Sequence, residues 1–209
     1  MNWAKITKGA WEQEIAKGNF DVTGTLKFQN GRKIDRAKAE ALLAAYWHRI
    51  DRIFFGRYAA DDGMGVDRWC FIEFGECGEN LHLHFVAKSP CDPILFCCVA
   101  NAIWSGFNPD TAPLAKNWIT PIQDQARTAA YITKETRHLR YDMAGLMCAH
   151  RNPGNYQYDN QGNSGQQTRI LNRLTIEALE KAHHALEKQI ELTQASISRH
   201  NGQSSSADV

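Results

Sequence analysis

The stretch ENLHLHFV, residues 79–86, sets two histidines one residue apart inside an apolar run. Alternation with a period of two predicts a strand. Residues i and i+2 of a strand leave the same face, so His82 and His84 become neighbours while Leu83 points the other way. Two adjacent imidazoles either line a solvated or hydrogen-bonded strand face or hold something between them. Just upstream, WCFIEFG (69–75) reads as a second strand and GECGEN (75–80) as the turn joining the two. With Cys77-Gly78 at the tip of that hairpin, Glu73 falls opposite His82 and Phe71 opposite His84. Directly opposed cross-strand residues have Cβ atoms ~4.5–5.5 Å apart. One carboxylate and two imidazoles then converge on a small volume. Three protein ligands with open positions is the form of a catalytic metal site rather than a closed structural one. The mixed oxygen and nitrogen set suits Mg²⁺ or Mn²⁺ with remaining waters, and would also take Zn²⁺, Co²⁺ or Ni²⁺. Glu76 and Glu79 read as solvated turn residues, although a one-residue slip in the turn would bring one of them closer.

A second group with chemistry is AAYITKETR, residues 129–137. Tyr131 and Lys134 are three apart on an expected helix and so share a face. A tyrosine hydroxyl is a nucleophile that stays protonated near neutral pH unless helped, with an ordinary pKa of about 10. A divalent metal beside it can polarise a phosphoryl oxygen. A lysine one turn away adds positive charge for a phosphate or for the transition state. Arg127, Arg137 and Arg140 make the segment locally basic and offer a phosphate-tracking surface. Taken alone, the same spacing also describes an amphipathic helix with a half-buried tyrosine and a solvated lysine.

These residues need a scaffold. FDVTGTLKF (20–28) reads as a first strand, and Asp35 caps a helix over about 36–54 with Leu42, Leu43, Tyr46, Trp47, Ile50 and Phe54 at helical spacing. After the hairpin, Asp92-Pro93 starts a helix to about Ser105, because Asp is a good N-cap and Pro a good first-turn residue. NWITPI (117–122) suggests a short strand, and residues 124–141 another helix. Strands with a hairpin among them, alternating with helices, predict an α+β fold: a central antiparallel sheet flanked by helices. Residues 1–149 form that domain. The Gly-, Asn- and Gln-rich stretch 150–168 reads as a loop or linker. Residues 169–198 read as a C-terminal helical arm, able to self-associate or to dock on the core, and 199–209 as a disordered tail.

The bulk composition narrows the class. A formal net charge of +1 over 209 residues names no partner by itself, and a local basic face is enough for nucleic acid. No run approaches the ~20 apolar residues of a membrane span, and the N-terminus lacks an apolar signal region, so a cytoplasmic protein without a membrane partner is expected. The six cysteines form no C-x-x-C pair, which excludes a zinc ribbon and fits reduced thiols used as small hydrophobes. Trp47, Trp69, Trp104 and Trp118 are divided between core and base stacking, with core the commoner fate; Tyr156 and Tyr158 in the linker are further stacking candidates.

In order, these pieces resemble the HUH endonucleases. An N-terminal strand, then E-x8-H-L-H-F (Glu73, His82, His84), then Y-x-x-K (Tyr131, Lys134) matches the three-motif order of that superfamily over about residues 20–140. The resemblance is nearest to single-tyrosine rolling-circle replication initiators of plasmids, phages and small single-stranded DNA viruses. It implies that Glu73, His82 and His84 bind the divalent cation. Tyr131 would attack a phosphodiester of single-stranded DNA at an origin or hairpin, leaving a 5′-phosphotyrosine and a free 3′ end. Lys134 would position or neutralise the phosphate. No second tyrosine lies three to five residues after Tyr131, and Tyr141 is ten residues on, which argues against the two-tyrosine branch. There is no G-x-x-x-x-G-K-[ST] loop, so unwinding would come from a host helicase. The same chemistry would serve a transposase or a plasmid-mobilising relaxase. A DNA-binding replication-control module without catalysis, and a metal-dependent hydrolase without a covalent step, are the readings of other classes.

Overall fold

The computed structural model describes residues 3–75, 80–134, 149–152 and 164–204. It is an α+β structure with a four-stranded antiparallel sheet flanked by helices, as the sequence predicts. The strands are β1 (Val22–Lys27), β2 (Arg68–Glu73), β3 (His82–Ala87) and β4 (Trp118–Pro121), in the spatial order β2-β3-β1-β4. Each lies within one or two residues of its expected span.

The helices are α1 (Trp3–Lys17), α2 (Arg36–Phe55), α3 (Arg57–Asp61), α4 (Pro93–Ser105), α5 (Gln125–Ile132), α6 (Ser164–Leu171) and α7 (Ile176–Ser204). Local chemistry sets the starts of α2, α4 and α5. The side chains of Asp35, Asp92 and Asp124 accept from the backbone N–H groups of Lys38, Leu95 and Arg127, satisfying donors that the first turn leaves free.

The period of two sorts the strand residues onto two faces. On one face Val22, Leu26, Cys70, Ile72, Leu83, Phe85, Ala87 and Ile119 pack in a continuous apolar core with α2 and α4. Trp47, Tyr46 and Trp104 are fully buried there, so Trp47 and Trp104 belong to the core and not to a DNA surface. Gly24 lies opposite Phe85, and a Cβ on it would meet the Phe85 ring at 2.2 Å, so the bare strand is what lets that ring lie flat across β1. A buried ion pair ties α2 to the start of β2: Arg68 Nη1 lies 2.9 Å from Asp51 Oδ1, and the Arg68 guanidinium covers the Trp47 ring.

The other face is covered only in part. Trp11 and Ile15 of α1, Phe20, Phe71, Val86, and Ala129 and Ile132 of α5 make a second, smaller cluster. α1 is not expected from the sequence. Its apolar residues are sparse, and it gains its place from Trp11, which meets Trp69 and Phe71 edge-on with ring centroids 5.1 and 5.3 Å away.

In the C-terminal region residues 153–163 of the expected linker lie outside the described residues, and the helical arm takes its docked alternative. His150 pairs with Arg68 by a backbone bridge, and the Asn152 side chain bonds Gly65 and Asp67, so the chain is anchored at the start of the expected linker. α6 begins inside that stretch and docks on α2. α7 lies against α4 and β4 with Ala182 and Leu186 buried, and Gln189 Nε2 donates to Asn117 O at 2.6 Å. The helical periodicity of this region thus serves docking on the core, and α7 continues to Ser204, into the expected tail. Among the described residues no helix is long and apolar enough to cross a membrane.

Candidate active site

The hairpin register is the one the residue count predicts: Glu73 pairs with His82 and Phe71 with His84. The turn residues 76–79, including Glu76, Cys77 and Glu79, lie outside the described residues. Gly75, at φ +73°, turns the chain away after β2 in a conformation that costs a glycine little.

Glu73, His82 and His84 project together from the partly covered face. One potential ligand atom from each lies within 4.8 Å of the others. His84 Nε2 is 2.8 Å and His82 Nε2 3.5 Å from Glu73 Oε2, with the imidazole planes nearly perpendicular and centroids 4.9 Å apart. Only 1% of the His84 side chain, 9% of Glu73 and 12% of His82 is exposed, so the cluster sits at the bottom of the surface and opens on the His82 side.

The histidines are oriented by groups behind them. His82 Nδ1–H donates to the backbone carbonyl of Asn80 at 2.8 Å, which turns Nε2 toward Glu73. His84 Nδ1 is 3.0 Å from the hydroxyl of Thr25, its partner on β1. A hydroxyl can donate or accept, so Thr25 serves either tautomer of His84. A metal-ligating histidine needs such a partner on its second nitrogen, and both histidines have one. The residues therefore fit a divalent cation by donor chemistry and by orientation. Sequence reading treats the first strand as a sheet element with little chemistry and misses Thr25; the alternation Thr23, Thr25 on one face of β1 is the signal it carried.

Charge is balanced locally. Burial opposes ionisation of Glu73, but hydrogen bonds from His82, His84 and Lys134 hold its carboxyl far below the usual carboxylate range. Burial, with the neighbouring His82 and Lys134, depresses the pKa of His84 against the pull of Glu73, and favours the neutral imidazole that a ligand must be.

α5 brings the nucleophile candidate to this cluster. Its N-terminus is tied down by Asp124 and by Gln125, whose side-chain amide donates to Phe20 O, and its buried residues Ala129 and Ile132 sit in the smaller cluster with Phe71 and Val86. Tyr131, on the opposite side of that last turn, is 52% exposed, and its ring meets His84 edge-on at 5.2 Å. The expected long helix to residue 141 is not what positions Lys134. α5 ends at Ile132, where Thr133 turns its N–H and hydroxyl back onto Ala129 O. Lys134 lies just beyond, with Nζ 3.0 Å from Glu73 Oε2 and 4.1 Å from the Tyr131 ring centroid. Its ammonium bridges the Glu73 carboxylate and the Tyr131 ring, and against the effect of burial the salt bridge to Glu73 raises its pKa.

Beside Tyr131 runs a cleft of about 390 Å³. Thr23, Thr25, Thr120 and Trp118 line the sheet side, Arg127 the α5 side, and Leu192 and Thr193 of α7 the far wall. Arg127 is therefore placed with Tyr131, one helical turn away. Arg137 and Arg140 lie outside the described residues, as do Tyr141, Tyr156 and Tyr158. The contribution of α7 to the cleft is a tertiary result that no motif in 169–197 announces.

No protein-family model, curated protein or solved structure matches the chain.

Proposed function

We propose that the protein is a metal-dependent single-stranded DNA nickase and strand transferase of the HUH type, working through a covalent 5′-phosphotyrosine, as an initiator of rolling-circle replication. The observation that carries this reading is the position of His84, which touches Glu73 on one side and the ring of Tyr131 on the other. A metal-ligand trio and an exposed tyrosine on one side of a sheet, beside a cleft with Arg127, is the equipment for phosphodiester attack.

Glu73, His82 and His84 would hold Mg²⁺ or Mn²⁺, which when bound polarises the scissile phosphate and neutralises charge developing on it. The protein's own residues do the rest. The cleft lies open to a single strand, and Arg127 meets its phosphates. Tyr131 Oη attacks phosphorus; the Tyr–O–P bond forms and the P–O3′ bond breaks. The phenolic proton leaves through solvent, and the departing O3′ gains one to become a 3′-hydroxyl. Lys134 keeps positive charge between Glu73 and Tyr131 while negative charge grows on the phosphoryl oxygens. The bond energy is kept in the phosphotyrosine, so a later 3′-hydroxyl can reverse the step and join strands. Transposase or relaxase biology would use the same residues, with the recognised DNA deciding between them.

The test is a denaturing gel of purified protein with labelled single-stranded DNA carrying candidate origin hairpins, with Mn²⁺ or Mg²⁺ or with chelator. The expected result is a metal-dependent shifted band that Tyr131→Phe abolishes. Cleavage that survives Tyr131→Phe would sink the covalent mechanism in favour of direct hydrolysis, and binding of the cognate origin without an adduct would leave a DNA-binding module.

A further inference from the structure

The outer side of the α2 layer carries a second concave surface, of about 490 Å³, with α2 between it and the sheet. Six cationic or titratable side chains reach it: His48, Arg49, Arg52, Arg57, Arg169 and Arg173. Among the described residues no acidic side chain lines it. In a chain of net charge +1, such a concentration is a local feature and not an overflow of global charge.

The fold accounts for only part of this set. Arg169 is structural: its Nε and Nη2 donate to Ile53 O and Phe54 O at 2.7 and 2.9 Å, capping the C-terminal carbonyls of α2 and fastening α6 to it. Arg57 has Asp61 at 3.6 Å, with both side chains largely in solvent. Arg52 sits in the last turn of α2, where a cation complements the helix dipole. Arg49 lies over the Phe107 ring, and Arg173 has no such reason. Arg49, Arg52 and Arg173 have no acidic partner among the described residues. Arg49 and Arg52, three apart on α2, repel each other and cost helix stability unless an anion lies between them.

The chemistry of the wall says what that anion is. Guanidinium groups from three helical segments present forked donors that match phosphate oxygens. The aromatic ring that could stack a base, Phe107, is covered by Arg49 at 4.8 Å. The surface therefore reads phosphates and not bases. We infer that this arginine groove is a second anion site that takes the phosphate backbone of nucleic acid, independently of sequence and apart from the Tyr131 cleft. The choice of nucleic acid as the source of phosphate rests on the nickase reading; the anion site itself does not. In function it would hold DNA flanking the nicked strand while Tyr131 acts on the opposite side of the sheet.

The experiment measures binding of a short duplex of arbitrary sequence by the full chain in chelator, over a salt series, for wild type and Arg49→Gln/Arg52→Gln/Arg173→Gln. A control variant, Lys33→Gln/Lys181→Gln/Lys188→Gln, removes the same charge from surface lysines elsewhere. The groove variant is expected to lose at least ~10-fold in affinity and to flatten the slope of log K against log salt by about 2–3, one phosphate contact per arginine. The control is expected to change little. Equal losses in both variants, or no loss in either, would overturn the inference. Calorimetry with inorganic tripolyphosphate separates the sources. Tripolyphosphate binding that the groove variant loses, with duplex affinity unchanged, would assign the groove to a small phosphate ligand and overturn the nucleic-acid assignment. Neither measurement uses the nicking reaction. An absent Tyr131 adduct with the groove effect intact therefore condemns the nickase reading alone, and the converse condemns the groove alone.

Discussion

On one face of the sheet, Leu26, Leu83, Phe85 and Ile119 meet α2 and α4, and Trp47, Tyr46 and Trp104 fill the space without a gap to solvent. On the other, Ile15, Phe20, Phe71, Val86, Ala129 and Ile132 form a patch just large enough to seat α1 and α5. The other positions on that face include Thr23, Thr25, Trp118, Thr120, Glu73, His82 and His84. The two faces are written by the same strands in alternate residues. The closed face supplies apolar burial, roughly 25 cal/mol per Å² removed from water. That burial offsets the desolvation of a carboxylate and two imidazoles a strand's thickness away. The apolar core and the candidate site thus lie on opposite faces, and each should be open to perturbation with limited effect on the other.

That division can be broken hardest from the closed side. Trp47→Ala removes a buried indole packed on Phe85 and Tyr46 at centroid distances of 5.1 and 5.2 Å, and should cost about 3–5 kcal/mol in urea unfolding. Mn²⁺ affinity of the molecules that remain folded should be unchanged; a large fall in affinity would mean that the faces are not separable. The complementary change is Thr25→Val on the half-open face, which keeps shape and removes the partner of His84 Nδ1. It should weaken Mn²⁺ binding by about 10–100-fold in calorimetry. An unaltered affinity would show that Thr25 does not orient the ligand.

Acid should distinguish the faces next. In the metal-free protein the folded state holds both His84 and Glu73 below their ordinary values of 6.5 and 4.5. In each window the unfolded chain therefore binds the proton first, and stability falls as pH falls. Loss on the His84 account begins below about 6.5, and loss on the Glu73 account below about 4.5, with full stability above both. Urea midpoints in chelator should decline less steeply from pH 7 to 5 in His84→Gln than in wild type. Below pH 4.5 the flatter profile should belong to Glu73→Gln. Identical slopes would refute the assignment.

A smaller effect concerns thiols on the closed side. Burial, with Asp92 nearby, pushes Cys91 up to about 12 and Cys98 up to about 11, and burial raises Cys97 as well. In the native protein Cys91, Cys97 and Cys98 should react slowly with a thiol reagent at neutral pH, and much faster after unfolding. Smallest of all, Tyr131→Phe should shift stability by no more than about 0.5 kcal/mol, since the ring is half exposed; a larger loss would make Tyr131 part of the packing.

Much of the site is legible in the sequence because it depends on short-range rules. A strand alternates with period two, and a hairpin pairs residues by counting from its turn, so the residue count alone puts Glu73, His82 and His84 on one face. The helices begun by Asp35 and Asp92 are legible for the same reason, since a cap acts within one turn. α1 is not, because its sequence has too few apolar residues to mark a face; Trp11 becomes meaningful only where Trp69 and Phe71 await it. Helical spacing predicts Lys134 beside Tyr131, and it arrives there although the helix has ended, held instead by the charge on Glu73.

By itself, the sequence determined the α+β class, the strand and helix spans over most of 20–132, and the convergence of Glu73, His82 and His84 on one hairpin face. Tertiary structure alone decided that β1 lies beside β3, so that Thr25 meets His84, that α5 sets Tyr131 against that histidine, and that α7 walls the cleft. Periodicity and capping are local and repeat along the chain, so they can be read from it. Which edges and faces meet is settled by burial and charge summed over residues far apart in sequence, and no local pattern carries that sum.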